Sequence, residues 1–202
     1  MKIAFYLFSI LVFSSCDFQK GSNHDEINIE AMELNDKAIK LTMVNNDDSL
    51  LLAKNYLEKA IKIQPNYFLA YRNKSLVLKK MGLTIELIEN LETLAKLQPE
   101  NPDNYTALGL ILELNGDSLI AMEKYQVADK IYSSILDTLT SEYDPYYSIE
   151  TNRALNLKYI HKEAEAYDLL IQVKAKLKEP FMKDMIDDFI KMNRQQLLER
   201  LK

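Results

Sequence analysis

The stretch NPDNYTALGLILELNGDSLIAMEKYQVADK, residues 101–130, contains the features that decide the fold. Asn101 can cap a helix, Pro102 suits the first helical position, and Asp103 complements the positive end of the helix dipole. Apolar residues then recur at helical spacing until Gly116, where the chain breaks. A second helix is indicated by three residues at intervals of four and three, Ala121, Tyr125 and Ala128. The stretch therefore predicts two helices joined by a short turn.

The same pattern occurs elsewhere in the chain at a spacing of 34 residues. The matching positions are Gly82 and Gly116, Tyr71 and Tyr105, Pro65 and Pro99, and, two periods apart, Ala53 with Ala121 and Ala60 with Ala128. A fixed period of this length is typical of stacked helix pairs, because a single pair cannot bury its apolar stripe alone. The spacing therefore predicts an array of helix pairs in which small residues let neighbouring backbones approach closely.

The repeated positions resemble the tetratricopeptide repeat (TPR), whose pattern is an aromatic residue, Leu-Gly, a large apolar residue, then Ala, an aromatic residue, Ala and a closing Pro. The unit that starts at residue 101 lacks only the closing Pro, since Ser133 stands there. The resemblance implies an all-α fold, a right-handed α-solenoid of about four helix-turn-helix units over residues 29–178. The alternative from the residues alone is a generic helical bundle with coincidental spacing.

The fourth of these units is predicted after Asp144-Pro145, with Ala164 as its first close-packed alanine, 43 residues after Ala121.

Residues 179–202 form a final amphipathic stretch whose apolar residues recur at intervals of three and four. We expect this stretch to be a capping helix that shields the last repeat. The alternative is a seam for dimerisation or for a partner helix.

The N-terminus has the pattern of an export signal. Met1 and Lys2 precede an apolar run of eleven residues, Ile3–Phe13, which is shorter than the roughly 20 residues that span a bilayer. Ser14, Ser15 and Cys16, the only cysteine, follow this run, and the arrangement resembles the bacterial lipobox, although Phe13 stands where Leu is usual. The resemblance predicts a signal peptide over residues 1–15, lipid attachment at Cys16 and a tether over residues 16–28. Ordinary secretion and an uncleaved anchor are the alternatives.

Composition and motifs favour binding over catalysis. The net charge of −5 argues against nucleic acid as a partner. The chain has no Gly-rich phosphate loop or nucleophile elbow. His161, Glu165 and Asp168 have a spacing that a metal could use, but without a second group of ligands they are expected to be a solvated helix face. We expect no enzymatic activity, no metal and no cofactor.

The candidate binding residues follow from the resemblance. TPR arrays usually hold extended peptides against a concave face that is lined by the first helix of each pair. The resemblance places on that face Arg72, Asn73, Leu76, Lys79 and Lys80 of one unit, and Thr106, Leu110, Glu113 and Leu114 of the next. The three basic residues can pair with acidic groups of a partner, and the leucines can supply apolar contact.

The insertion before the fourth unit contains three further candidates for recognition, Tyr143, Tyr146 and Tyr147. The alternative is that these tyrosines pack between units.

The sequence therefore predicts a lipid-anchored scaffold or adaptor in a bacterial cell envelope, which docks one or more proteins or peptides on its concave face. A self-associating spacer, joined through the C-terminal helix, is the alternative function. The partner, the membrane and leaflet, and the oligomeric state are left open by these residues.

Overall fold

The computed structural model describes residues 27–44, 46–139 and 145–201, with side chains from residue 147 onward in the last range. These described residues form ten α-helices and no strand. The chain divides into two compact units, whose described parts are residues 27–99 and 100–201. We call them the N-terminal unit and the C-terminal unit and describe each by itself.

The N-terminal unit consists of two helix pairs. Its helices are α1 (Ile29–Val44), α2 (Asp47–Ile63), α3 (Phe68–Lys80) and α4 (Thr84–Leu97). Helix α1 packs along α2, α3 packs along α4, and α3 also contacts both α1 and α2. The alanines of the 34-residue period lie in the core of this unit, since Ala53 and Ala60 are both 0% exposed. Leu57 fills the space between them on α2.

The C-terminal unit continues the pattern and ends in two further helices. Its helices are α5 (Pro102–Asn115), α6 (Ser118–Thr138), α7 (Pro145–Tyr159), α8 (Glu163–Lys176), α9 (Pro180–Lys191) and α10 (Arg194–Glu199). Helix α5 packs along α6, α7 packs along α8 and also contacts α6, and α9 packs on α8. From α5 to α9, helices adjacent in sequence are thus adjacent in space, as the repeat predicts.

The ends of α5 form as the sequence predicts. The side chain of Asn101 accepts a hydrogen bond from the Asp103 amide at 3.1 Å, and Pro102 is the first helical residue. Gly116 ends the helix with φ of 101°, in the left-handed region where a residue without Cβ is least strained. Gly82 has φ of 70° in the equivalent turn after α3.

Gly109 is a close-contact residue within its helix pair. A Cβ atom at this position would lie 2.6 Å from Cε1 of Tyr125 on α6, well inside van der Waals contact. Tyr125 is 0% exposed and cannot move aside. The Leu-Gly position of the repeat is therefore small because an aromatic ring of the second helix occupies the space beside it.

The fourth unit lies two residues away from its predicted register. Ala164 is exposed, whereas Ala166 is fully buried at the place that Ala121 holds in the unit before. His161 lies in the turn before α8 with φ of 61°, the conformation that Gly116 has in the preceding turn. The repeat offset is therefore 45 residues, and the prediction of 43 residues was wrong because the insertion between the units obscures the register.

The C-terminal stretch forms two helices instead of one. The backbone of Met192 is extended at the end of α9, and Asn193 caps α10 through a hydrogen bond from the Gln196 amide to its side chain. The apolar face predicted from the sequence packs inward, since Ile186, Phe189 and Leu197 are each 0% exposed. None of the described helices is long and apolar enough to cross a bilayer.

Candidate functional site

Five of the predicted binding residues lie on α3, and their side chains are all partly exposed. We call this set, Arg72, Asn73, Leu76, Lys79 and Lys80, the α3 face. They follow one another at helical spacing, so that basic groups surround Leu76 on one side of the helix. The α3 face therefore has the mixed polar and apolar character that suits a peptide or protein segment.

Two members of the α3 face also contact α1. Asn73 Nδ2 donates a hydrogen bond of 2.7 Å to Asn35 Oδ1, and Lys80 Nζ donates one of 3.1 Å to the Thr42 carbonyl. The second contact places a cation at the carboxyl end of α1, where it complements the helix dipole. The first helices of both pairs thus contribute to one surface of the N-terminal unit.

Lys79 lies in the last turn of α3, and burial lowers the pKa of its ammonium group. A partly desolvated cation attracts an anion more strongly than a solvated one, because less water screens the interaction. On the α3 face, Lys79 is such a partly desolvated cation.

The predicted binding residues of α5 are placed differently. Thr106 is 0% exposed and Leu110 is 2% exposed. The hydroxyl of Thr106 donates to Asn156 Oδ1 of α7 at 3.1 Å, and Asn156 in turn donates to the Tyr125 carbonyl at 2.8 Å. Neither Thr106 nor Leu110 therefore presents its side chain to a partner in this structure. Other helices of the C-terminal unit pack over both side chains.

Glu113 is engaged by the chain's own C-terminus. Its carboxylate accepts hydrogen bonds from Arg194 Nη2 of α10 and, at 2.9 Å, from the Tyr125 hydroxyl. The Nε of Arg194 also donates to the Tyr159 carbonyl at 3.0 Å. The single-sequence pattern did not single out Arg194, since it lies 81 residues from Glu113 and belongs to no repeat unit.

Lys158 is a second contact to the C-terminus that sequence reasoning missed. Its Nζ donates 2.7 Å to the Met192 carbonyl and pairs with Glu163 at 3.2 Å, while its side chain is only 4% exposed. Lys158 lies 45 residues after Glu113, which is the offset that the structure gives the fourth unit, so the incorrect register predicted from the sequence concealed this correspondence.

Three tyrosines lie in the interior of the C-terminal unit. The rings of Tyr125 and Tyr159 stack with centroids 5.2 Å apart, and burial, followed by the negative charge of Glu113, raises the pKa of both hydroxyls. Tyr132 donates a hydrogen bond to Asp103, and burial together with that carboxylate raises its pKa as well. Asn152 of α7 donates to the same Asp103 oxygen at 3.1 Å. The hydrogen bonds of Tyr132 and Asn152 to Asp103 join α5, α6 and α7.

The remaining candidates do not form a site in the described part of the chain. His161 has positive φ and forms part of the turn before α8. The described residues contain no group of three or more metal-ligating side chains. Cys16, the signal peptide, Tyr143 and the side chain of Tyr146 lie outside the described residues. Tyr147 lies near Lys176, whose Nζ is 5.9 Å from the ring centroid.

Comparisons with known proteins identify the fold. No protein-family model matches the chain, and no curated protein sequence does. Among solved structures, a candidate kinesin light chain of Podosopora anserina with nearly identical TPR-like repeats has a TM-score of 0.52 and 18% identity, over 85% of this chain and 94% of that chain. A variant of that protein with one substitution has the same TM-score and identity, over 85% of this chain and 92% of that chain. The fold is TPR-like.

The TPR-like fold confirms the prediction of an all-α array of helix pairs, and it is consistent with a protein-interaction module. Two charged surfaces are the candidates for binding in the described part of the chain. One is the α3 face of the N-terminal unit. The other is the surface of the C-terminal unit that carries Glu113 and Lys158 and that the chain's own C-terminus covers.

Proposed function

We propose that this protein is a non-catalytic adaptor, anchored by lipid at Cys16 in a bacterial cell envelope, that docks an acidic protein segment on the α3 face. The observation that carries the proposal is the arrangement of Arg72, Lys79 and Lys80 around Leu76 on one partly exposed face of a first helix. Thr106 and Leu110 are not included in this binding surface, because both are buried.

The chemistry of the α3 face supports an acidic partner. Arg72 contributes a planar cation, whereas the lysines act as point charges. Leu76 supplies apolar area at the centre, which is where binding energy is concentrated in protein interfaces. Electrostatic attraction also accelerates encounter, so the interaction should weaken as salt is added.

Reversing charge on the α3 face is expected to release the partner. In the variant Arg72→Glu/Lys80→Glu, we expect recovery of the cross-linked partner from native envelopes to fall at least about tenfold, because two attractive charges become repulsive. Cross-linking followed by mass spectrometry identifies and quantifies the partner.

The matched control is Lys59→Glu/Lys62→Glu on α2, which makes the same change in net charge at two exposed positions. Recovery with the control should equal that of the unchanged chain. Equal recovery from both double variants would remove the α3 face as the docking surface. Because Lys80 also binds the end of α1, the thermal unfolding of both variants must be compared before recovery is interpreted.

The proposed anchor depends on Cys16, the only cysteine of the chain. A lipoprotein cysteine carries two or three acyl chains, and each buried methylene contributes about 0.8 kcal/mol to membrane binding. One chain holds a protein only marginally, whereas two or more hold it durably. The residues between Cys16 and α1 would then connect the lipid to the helical array.

Replacing Cys16 by serine is expected to move the protein from the membrane fraction to the soluble fraction. The unchanged chain should incorporate a labelled fatty acid and lose residues 1–15, and the serine variant should do neither. Intact mass spectrometry and fractionation measure both effects. A serine variant that still sediments with membranes would favour an uncleaved anchor, and an unlabelled soluble protein would favour ordinary secretion.

The alternative, a spacer that self-associates through its C-terminal helix, has less support. The apolar residues that would form the seam, Ile186 and Phe189, are already buried in the same chain. Lys174 also pairs with Asp187 at 2.6 Å, which holds α9 on α8. Dimerisation through this face would first require α9 to leave its own unit.

A further inference from the structure

One position recurs in the last turn of three first helices. Lys79, Glu113 and Lys158 each lie three residues before a residue with positive φ, namely Gly82, Gly116 and His161. In each case the carbonyl of the earlier residue accepts a hydrogen bond from the amide of the later one, at 3.1, 3.1 and 3.2 Å. The three side chains therefore occupy equivalent places in their repeats.

In the C-terminal unit, both occurrences of this position bind the same segment of chain. Glu113 binds the guanidinium of Arg194, and Lys158 binds the carbonyl of Met192. One contact is to a side chain and the other to the backbone, so the segment is held at two adjacent points. Residues 192–201, which we call the C-terminal segment, thus lie across the ends of α5 and α7.

The C-terminal segment and α9 are held by different contacts. Helix α9 is fixed on α8 by the Lys174–Asp187 ion pair and by its own buried side chains. The C-terminal segment is instead held through Arg194, the Met192 carbonyl and the buried Leu197. The extended backbone at Met192 and Asn193 separates the two helices.

A helix of six residues is too short to be stable alone in water. The C-terminal segment therefore keeps its helical form only while it is docked. Its release exposes Leu197 and Leu201 and breaks the hydrogen bonds of Arg194 and of the Met192 carbonyl, and it is favoured by the conformational entropy of the freed residues. Such a segment can open without the unfolding of α9 or of the repeats.

We propose that the surface of Glu113, Lys158 and the Tyr159 carbonyl is a binding site for a short amphipathic helix with an early arginine, and that the C-terminal segment is its resident occupant. A partner protein that presents such a helix displaces the segment. The site is distinct from the α3 face, although it rests on the proposed interaction role. It makes the chain a two-surface adaptor whose second surface is closed until a competing helix arrives.

The chemistry of the site selects arginine over lysine. The Glu113 carboxylate and the Tyr159 carbonyl both accept from the same guanidinium, through Nη2 and Nε. A planar fork reaches two acceptors in fixed directions, whereas an ammonium group lacks that geometry. Leu197 and Leu201, three and seven residues after Arg194, are 0% and 6% exposed. The partner helix should therefore carry arginine followed by apolar residues at these two spacings.

Hydrogen exchange of the full-length chain tests whether the segment opens by itself. In Arg194→Ala, amides of α10 should exchange at least about tenfold faster than in the unchanged chain, because charge-assisted hydrogen bonds are lost. Amides of α9 should keep their rates. The control Gln195→Ala changes a neighbouring exposed residue and should leave both helices as they were. Simultaneous acceleration of α9 and α10 would show that the segment is part of one cooperative unit and would overturn the proposal.

A peptide with the sequence of residues 192–202 tests the binding site directly. Full-length Arg194→Ala should bind this peptide at least about tenfold more tightly than the unchanged chain, whose site is occupied. Adding Glu113→Gln to that variant, or replacing the arginine of the peptide by leucine, should weaken binding by about tenfold. Equal affinity in all four of these combinations of chain and peptide contradicts the proposal. The absence of binding in every combination also contradicts it.

Two further outcomes distinguish this site from the α3 face and from self-association of the chain. Arg72→Glu/Lys80→Glu on the α3 face should leave peptide binding unchanged, so failure of the proposed docking surface and failure of this site are distinguishable. A stable dimer of Arg194→Ala that exchanges C-terminal segments, detected by sedimentation, would make a second copy the occupant. That result would overturn the assignment of the site to a partner.

Discussion

Replacing Phe189 by alanine is expected to lower the free energy of unfolding of the C-terminal unit by about 3–5 kcal/mol. Phe189 is 0% exposed on α9, and truncation of its ring removes apolar burial and leaves a cavity. The loss is a large part of the about 5–15 kcal/mol that stabilises an ordinary domain. Urea unfolding followed by circular dichroism measures the change, with the two units allowed separate transitions.

The control is Phe181→Ala on the same helix, where the ring is 64% exposed. The same chemical change there should alter stability by less than about 0.5 kcal/mol. The pair of variants also decides between capping and self-association. If α9 were a dimer seam, Phe189→Ala would dissociate an oligomer and change stability in a way that depends on protein concentration. A concentration-independent loss supports the capping role.

The array of helix pairs could be predicted because each unit carries its own local signals. Asn101 and Pro102 begin a helix, Gly116 ends it, and small residues recur where helices touch. These features act over a few residues, so a single sequence displays them. The 34-residue period then predicts the same structure for a unit with a less typical sequence. The unit that contains the buried Ala53 and Ala60 is an example.

The register of the fourth unit could not be predicted in the same way. Its turn contains His161 in a left-handed conformation that glycine adopts in the earlier units, so the marker residue was missing. Ala164 and Ala166 are both alanines at plausible positions, and only packing distinguishes them. The insertion before α7 removed the period that would otherwise have chosen between them.

The candidate site was predictable only in part, because burial depends on contacts between distant residues. Nothing near Thr106 in sequence reveals that Asn156 lies over it, and nothing near Glu113 reveals Arg194. The partial exposure of the α3 face could be predicted because it follows from the repeat alone, whereas its role in binding stays a prediction. The surface covered by the C-terminal segment required the three-dimensional structure.

Alkaline pH is expected to destabilise the C-terminal unit steeply, because three buried tyrosines must keep their protons in the folded state. Burial raises the pKa of Tyr125, Tyr132 and Tyr159 above the value of about 10 that a tyrosine has in an unfolded chain. At lower pH both states hold these protons, and the stabilisation is fully present. At higher pH the unfolded chain releases protons that the folded chain retains, which favours unfolding.

Each such tyrosine lowers the free energy of unfolding by about 1.4 kcal/mol per pH unit above about pH 10. Three together give a slope of about 4 kcal/mol per pH unit, which removes about 5–15 kcal/mol of stability over roughly one to four pH units above about pH 10. Urea unfolding at several pH values between about 8 and 11 measures the slope. Ionisation of the tyrosines, followed by ultraviolet absorbance, should coincide with loss of helix.

Tyr159→Phe isolates one of the three contributions. The Tyr159 hydroxyl is buried and makes no hydrogen bond to any described residue, so its removal should leave stability near neutral pH close to that of the unchanged chain. The alkaline slope should nevertheless fall by about 1.4 kcal/mol per pH unit, since one titrating group is gone. The control is Tyr167→Phe, which removes a tyrosine whose side chain is 50% exposed and not buried. An identical slope in both variants would show that ionisation of the buried rings does not drive the alkaline transition.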